Sequence, residues 1–310
     1  MSSAPPTLPA ATRERAARAA RETVLAVAAP DRAAIVVTGK DRSSWLNGLV
    51  TCDIARRERG RASYGLLLEK TGRIQADLFV VPSGDEQTLV LAVPASARAA
   101  ILATLEHHLI MEDVELSTPE LSFVVAHGPR AEELRGLAPF AGSVDLLGDG
   151  GIVLGVAALD AASFEARLGA QVAASGGVVA DEATWEAVRI ERGLPRFGVE
   201  VDATLYPQEA ALEKLAVSFS KGCYLGQEVV YMLQERGHVK RKLVSLEFDG
   251  GEPPLPGSAV AAPEGEVVGE IKSATSGPSS GRPAAIAMVK WAQAKPGTAL
   301  RVADRATTVR

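Results

Sequence analysis

The chain has 310 residues, 47% of them hydrophobic and 23% charged, enough for two or three domains with cores of their own. Its net charge of −5 argues against gripping phosphate backbones as a main task, so no nucleic-acid partner is expected. No apolar run reaches the ~20 residues of a membrane span, and the two cysteines, Cys52 and Cys223, make neither a disulfide framework nor a zinc site. The expectation is a cytoplasmic monomer in a reducing compartment, with no metal centre and no membrane contact.

Residues 1–30 read as a tail with Pro5, Pro6 and Pro9 leading into an Ala/Arg-rich helix, without the charged-then-apolar order of a secretion signal. A first α/β lobe is expected over 31–118. It opens with a strand at 34–38, a turn at Gly39, and a helix to about 49 with Asp41 as its N-cap. Gly39-Lys40 is not a phosphate loop, because Ala34 stands where that motif needs its first glycine and Asp41 where it needs Ser or Thr. Strands at 62–68, 73–81 and 88–93 and a helix at 95–108 complete the lobe.

The order Val36-Val37-Thr38-Gly39, then Leu46 and Leu49, returns as Val124-Val125-Ala126-His127-Gly128, then Leu134 and Leu137. Both copies read as strand, glycine turn and helix, which suits a duplicated lobe over 119–240. That second lobe should carry a strand at 152–156 and helices at 160–174 and 181–192. From 241 to 310, prolines at 253, 254, 256, 263, 278, 283 and 296 alternate with β-rich runs at 267–271, 285–291 and 299–302. This is the texture of a small all-β barrel or sandwich.

Chemistry gathers at Lys221-Gly222-Cys223-Tyr224-Leu225-Gly226-Gln227-Glu228. Gly222 and Gly226 permit a tight loop before a helix beginning near Gln227, which would set Cys223 close to a helix N-terminus with Lys221 two residues away. Such surroundings make a thiolate available, although free cysteine is also a common buried small hydrophobe. Cys52, with no partner motif, reads as the buried thiol. His107, His108, His127 and His238 share no metal-ligand spacing. Arg56, Arg57, Arg59 and Arg61 read as a solvated face or as a landing strip for a small polyanion.

The 221–228 stretch resembles the signature of the folate-binding YgfZ family, relatives of the glycine-cleavage T protein that support iron–sulfur proteins. Gly39-Lys40-Asp41-Arg42, Arg189-Ile190-Glu191-Arg192-Gly193 and Gly237-His238-Val239-Lys240-Arg241 extend the resemblance over about residues 30–248. The chain departs from the family at Met232, where an arginine is usual; Arg236 is the nearest replacement. The resemblance implies an α+β fold, two interleaved α/β lobes forming a folate-binding module closed by a C-terminal β-barrel. It also implies that tetrahydrofolate or a one-carbon derivative binds through Glu191 and Trp185, supported by Tyr224, Gln227, Glu228 and Arg241, with Cys223 and Lys221 as the reactive pair and the glutamate tail of the folate as the polyanion.

In the T protein, aminomethyl transfer depends on an aspartate expected just after the fourth strand. Residues 93–100 of this chain hold no carboxylate. The resemblance therefore points first to an accessory protein for assembly or repair of iron–sulfur clients rather than a classical enzyme. A folate-dependent aminomethyltransferase is the alternative, and a folate-sensing module with an inert cysteine is a third reading.

Overall fold

The computed structural model describes residues 9–310. The tail expected around Pro5 and Pro6 lies outside the described residues. In chain order the elements are α1 (Ala10–Glu22), β1 (Leu25–Ala28), β2 (Arg32–Thr38), α2 (Arg42–Asn47), β3 (Ser63–Leu68), β4 (Ile74–Pro82), β5 (Leu89–Pro94), α3 (Arg98–His107) and β6 (Glu115–Ser117). They continue with β7 (Leu121–His127), β8 (Phe140–Ser143), β9 (Gly151–Ala157), α4 (Ala161–Ala174), β10 (Val178–Ala180), α5 (Glu182–Arg192), α6 (Glu213–Ala216) and α7 (Gln227–Glu235). The last third holds β11 (Arg241–Glu247), β12 (Ala259–Ala261), β13 (Val267–Ser276), β14 (Pro283–Lys290), β15 (Ala299–Val302) and β16 (Arg305–Val309).

Two five-stranded sheets form the lobes. The first has the order β3-β4-β5-β2-β6 and the second β10-β1-β7-β9-β8. β1 precedes the first lobe in sequence yet sits inside the second sheet, antiparallel to β7 and parallel to β10. The chain thus starts one lobe, builds the other, and returns, which is how the two become interleaved. A tail and helix alone were expected before residue 31, so β1 is an addition. Its four residues are too few to show an alternation, and their burial comes from strands more than ninety residues away in sequence.

The six strands β11-β14-β13-β12-β15-β16 close into a barrel, so no edge is left for pairing with another chain. A shared apolar cluster fastens the parts together: Tyr64 and Phe79 come from the first sheet, Val153 from the second, Ile190 from α5, and Leu243 and Ile286 from the barrel.

Two local expectations change. The Asp41 side chain makes no cap bond to α2; its Oδ2 accepts from the Asp113 backbone N–H at 2.9 Å and ties the turn after β2 to the segment before β6. The second copy of the strand–glycine–helix pattern yields a 3₁₀ stretch over Ala131–Leu137 rather than an α-helix. Asp181 does cap α5, accepting from Thr184 N–H at 2.9 Å, and Gly193 ends that helix in the left-handed region at φ 73°. No described helix is long and apolar enough to cross a membrane.

Candidate functional site between the lobes

The segment joining β1 to β2 runs along the seam between the lobes and walls a cavity there with β3, β4 and α5. Asp77 is buried in β4, whose neighbours on the strand are almost all apolar and also buried. A carboxylate in that position needs partners. Arg32, at the start of β2, supplies a two-pronged one: Nη1 donates to Oδ1 and Nη2 to Oδ2, each at 2.8 Å. The Tyr64 hydroxyl of β3 donates to Oδ2 at 2.9 Å. Burial, and then the charge of Asp77, push the Tyr64 phenol well above its ordinary value, so it remains a donor. Burial alone would lower the Arg32 guanidinium, but the charge and hydrogen bond of Asp77 outweigh it and raise it.

Sequence reasoning did not single out Asp77. Residues 93–100 lie on the end of β5 and the start of α3, and none of them lines the Asp77 cavity. The segment 93–100 holds no carboxylate, as read from the sequence; the buried acid of this cavity is Asp77, on β4. The available signal was a lone acid inside an apolar strand.

Trp185 of α5 lines the same cavity, as expected, and stacks on His127 with ring centroids 4.5 Å apart and planes 9° from parallel. His127 is 1% exposed, and neither ring nitrogen has a partner among the described residues. Burial pushes it down to about 4. Arg189, one turn beyond Trp185, also lines the cavity. It lies between Glu186 and the fully buried Glu200 side chain, whose carboxylate also accepts from Ser273 of the barrel. Arg196 pairs with Asp31, Glu182 and Glu186.

Glu191 is not brought to the cavity with Trp185. Six residues on, it lies some 120° around the helix, and both its oxygens are engaged by the barrel. Ser279 N–H donates at 3.0 and 3.1 Å, Ser280 N–H at 3.0 Å and the Ser280 hydroxyl at 2.9 Å. A Cβ on Gly277 would come within 2.5 Å of Glu191 Oε1, so glycine is required for this turn to close on the carboxylate.

The 221–228 loop forms a separate constellation against the outer part of the first lobe. Lys221 donates through Nζ to the backbone oxygens of Asn47, Val50 and Cys52 at 2.6, 2.8 and 2.7 Å. Its ammonium closes the segment after α2, and burial brings it down to about 8. It was expected to activate Cys223; its three donors are instead spent on carbonyls. Cys223 is a free, exposed thiol, whereas Cys52 is buried and pushed up to about 12 by burial. Gly226, at φ 78°, lets the loop press within 2.5 Å of the Glu69 carbonyl (measured from an added Cβ) before α7 begins.

Tyr224 is a core residue, its ring 5.4 Å from Lys221 Nζ. Gln227 opens α7, and Glu228 is exposed. Arg241 pairs with Glu209 at 3.5 Å. None of these four lines the Asp77 cavity. Arg56, Arg57 and Arg61 line a neighbouring cavity that shares Tyr64 with it, but the Arg57 guanidinium is committed to Glu86.

Fold and cavity define a two-lobed α+β protein closed by a barrel, with a buried carboxylate facing the space between the lobes. Models of the GCVT N-terminal domain and of the Glycine cleavage T-protein C-terminal barrel domain match residues 7–146 and 241–310, so the chain belongs to the glycine-cleavage T-protein-like superfamily. The aminomethyltransferase of Herpetosiphon aurantiacus is 28% identical over 298 residues, covering 88% of this chain and 81% of the relative. That of Streptomyces avermitilis is 29% identical over 291 residues, covering 86% and 78%. The crystal structure of glycine cleavage system aminomethyltransferase T from Bartonella henselae superposes with a TM-score of 0.78 at 20% identity, covering 96% of this chain and 88% of that one, and shows the shared fold.

Proposed function

We propose that the chain binds a reduced folate in the cavity between the lobes and transfers a one-carbon unit of the aminomethyl type. The observation that carries this reading is Asp77, a buried carboxylate held by three hydrogen bonds from Arg32 and Tyr64. The chemistry of the lining suits such a ligand. Phe79 and Trp185 offer flat apolar faces, and one carboxylate stands among them. When bound, tetrahydrofolate would supply the two nitrogens that accept the one-carbon unit, one in its reduced pterin ring and one in the neighbouring arylamine.

The protein's own part is electrostatic. A carboxylate fixed in place by Arg32 and Tyr64 stabilises positive charge developing on the transferred carbon without reorganising during the reaction. The bidentate fork fixes both oxygens, and Tyr64 keeps its proton and remains a donor rather than a competing anion. Trp185, braced by His127, limits the tilt of a planar ligand and excludes water from the carboxylate.

Calorimetry with tetrahydrofolate and an aminomethyl-transfer assay test the reading together. Asp77→Asn is expected to lower turnover by about 10²–10³ while changing folate affinity far less. An Asp77→Asn protein that turns over like wild type would remove Asp77 from the chemistry.

The exposed thiol favours a second reading. Cys223 stands on the signature loop apart from the Asp77 cavity, so a YgfZ-type accessory protein for iron–sulfur clients would use folate in one place and a thiol in another. Restoration of iron–sulfur enzyme activity by wild type but not by Cys223→Ala, at equal protein level and with no aminomethyl transfer in vitro, would favour that reading over the transferase.

A further inference from the structure

Across the 28–32 segment from the Asp77 cavity, the lobes enclose a second and larger cavity of about 590 Å³, well within the size of small-molecule sites. Its two walls differ in chemistry. The first lobe contributes Arg32 and Arg98, and the second contributes Leu121 of β7, Phe164 and Leu168 of α4, and Val179 of the edge strand β10, with the exposed Glu120 and Glu165 at the rim. Phe164 and Leu168 are 2% and 4% exposed, whereas Val179 is 52% exposed, an apolar side chain left at the mouth.

Arg32 belongs to both cavities. Its side-chain hydrogen bonds all come from the terminal nitrogens and all go to Asp77, leaving the Nε–H without a protein acceptor among the described residues. Among the described residues Arg98 is paired with Glu120 alone, at 3.2 Å, and that carboxylate is 78% exposed. Exposed pairs of this kind are worth little and exchange readily for a better-seated anion.

We propose that this outer cavity is a second ligand site, for a small amphiphile with a carboxylate head and a short apolar body. The head takes the place of Glu120 at Arg98 and engages the free donor of Arg32, and the body covers the Leu121, Phe164 and Leu168 face. Because Arg32 also orients Asp77, a carboxylate in the outer cavity draws on the guanidinium that prepares the inner one. The two sites are therefore coupled, and the coupling is reciprocal. The existence of the outer site does not depend on what the inner cavity binds.

The test uses the full-length protein and octanoate, titrated by calorimetry without any folate present. Saturable binding is expected, weakened at least tenfold by Arg98→Gln and also by Val179→Asp, which sets a like charge at the mouth; octanol, which lacks the charge, should bind far more weakly. Thermal melts show whether each variant is folded, and the second substitution serves if the first is not. Absence of saturable binding at millimolar octanoate, equal binding of octanol, or unchanged affinity in the folded variants would overturn the proposal. Folate titrations with and without octanoate then read the coupling, and an unchanged folate affinity would overturn that part alone.

Discussion

Lys221 shows how a residue type can be legible while its role is not. From spacing alone a lysine two residues before a cysteine reads as a thiol activator, yet the side chain folds back onto the carbonyls left open after α2. Lys221→Ala should therefore cost stability, about 1.5–3 kcal/mol in urea denaturation, from the loss of charge-assisted bonds. The rate of Cys223 alkylation in the folded variant should stay within about twofold of wild type. A thiol count gives a companion test: one equivalent should react in the native protein and the second, Cys52, only after denaturation. His127 belongs to this scale too. Its folded-state value of about 4 lies below the ordinary 6.5 because burial disfavours the charged ring, with Asp145 opposing and Arg192 adding to the effect. As pH falls the unfolded chain takes up the proton first, so stability present above pH 6.5 is lost between 6.5 and 4, by up to about 3 kcal/mol. Urea midpoints at pH 7 and 4.5 measure it, and His127→Phe, which keeps the stack on Trp185, should flatten that part of the pH dependence.

At the scale of elements, α5 carries most of the burden. A helix over 181–192 was expected, and the structure bounds it with Asp181 as cap and Gly193 as its left-handed end. What periodicity does not reveal is which neighbour each face meets. One face turns Trp185 and Arg189 toward the lobes, and another turns Glu191 toward the barrel turn at Ser279 and Ser280. Glu191→Ala should therefore lower stability in the absence of any ligand, by about 1.5–3 kcal/mol, since it removes the charge-assisted hydrogen bonds that hold that turn on α5. Thermal melting of the folate-free protein checks this; a variant as stable as wild type would show that the clasp contributes nothing. β4 gives the complementary lesson. Its strand character was plain, but the role of Asp77 came into view only once Tyr64, from the adjoining β3, and Arg32, from β2 two strands away, were seen to converge on it.

For the whole molecule, interleaving has a direct consequence. β1 lies between β7 and β10 in the second sheet, and Leu25 and Ala26 are fully buried. A chain beginning at residue 31 would leave two strands with unpaired backbone groups and an open seam in the lobe. It should fail to reach a cooperative fold, seen as loss of the thermal transition and an enlarged hydrodynamic radius. A stable, compact product would mean that the second lobe does not need β1.

Local chemistry made much of this protein readable in advance. Alternating apolar residues, glycine turns and the proline-spaced β runs marked the lobes and the barrel, because strand period, turn geometry and capping depend on neighbours a few residues apart. Tertiary structure alone decided that β1 joins the later sheet, that Glu191 clasps the barrel, that Lys221 serves carbonyls rather than a thiol, and that Asp77 is the buried acid. Each of these depends on contacts between residues far apart in sequence, and a one-dimensional pattern does not say which distant groups will be brought within 3 Å of one another.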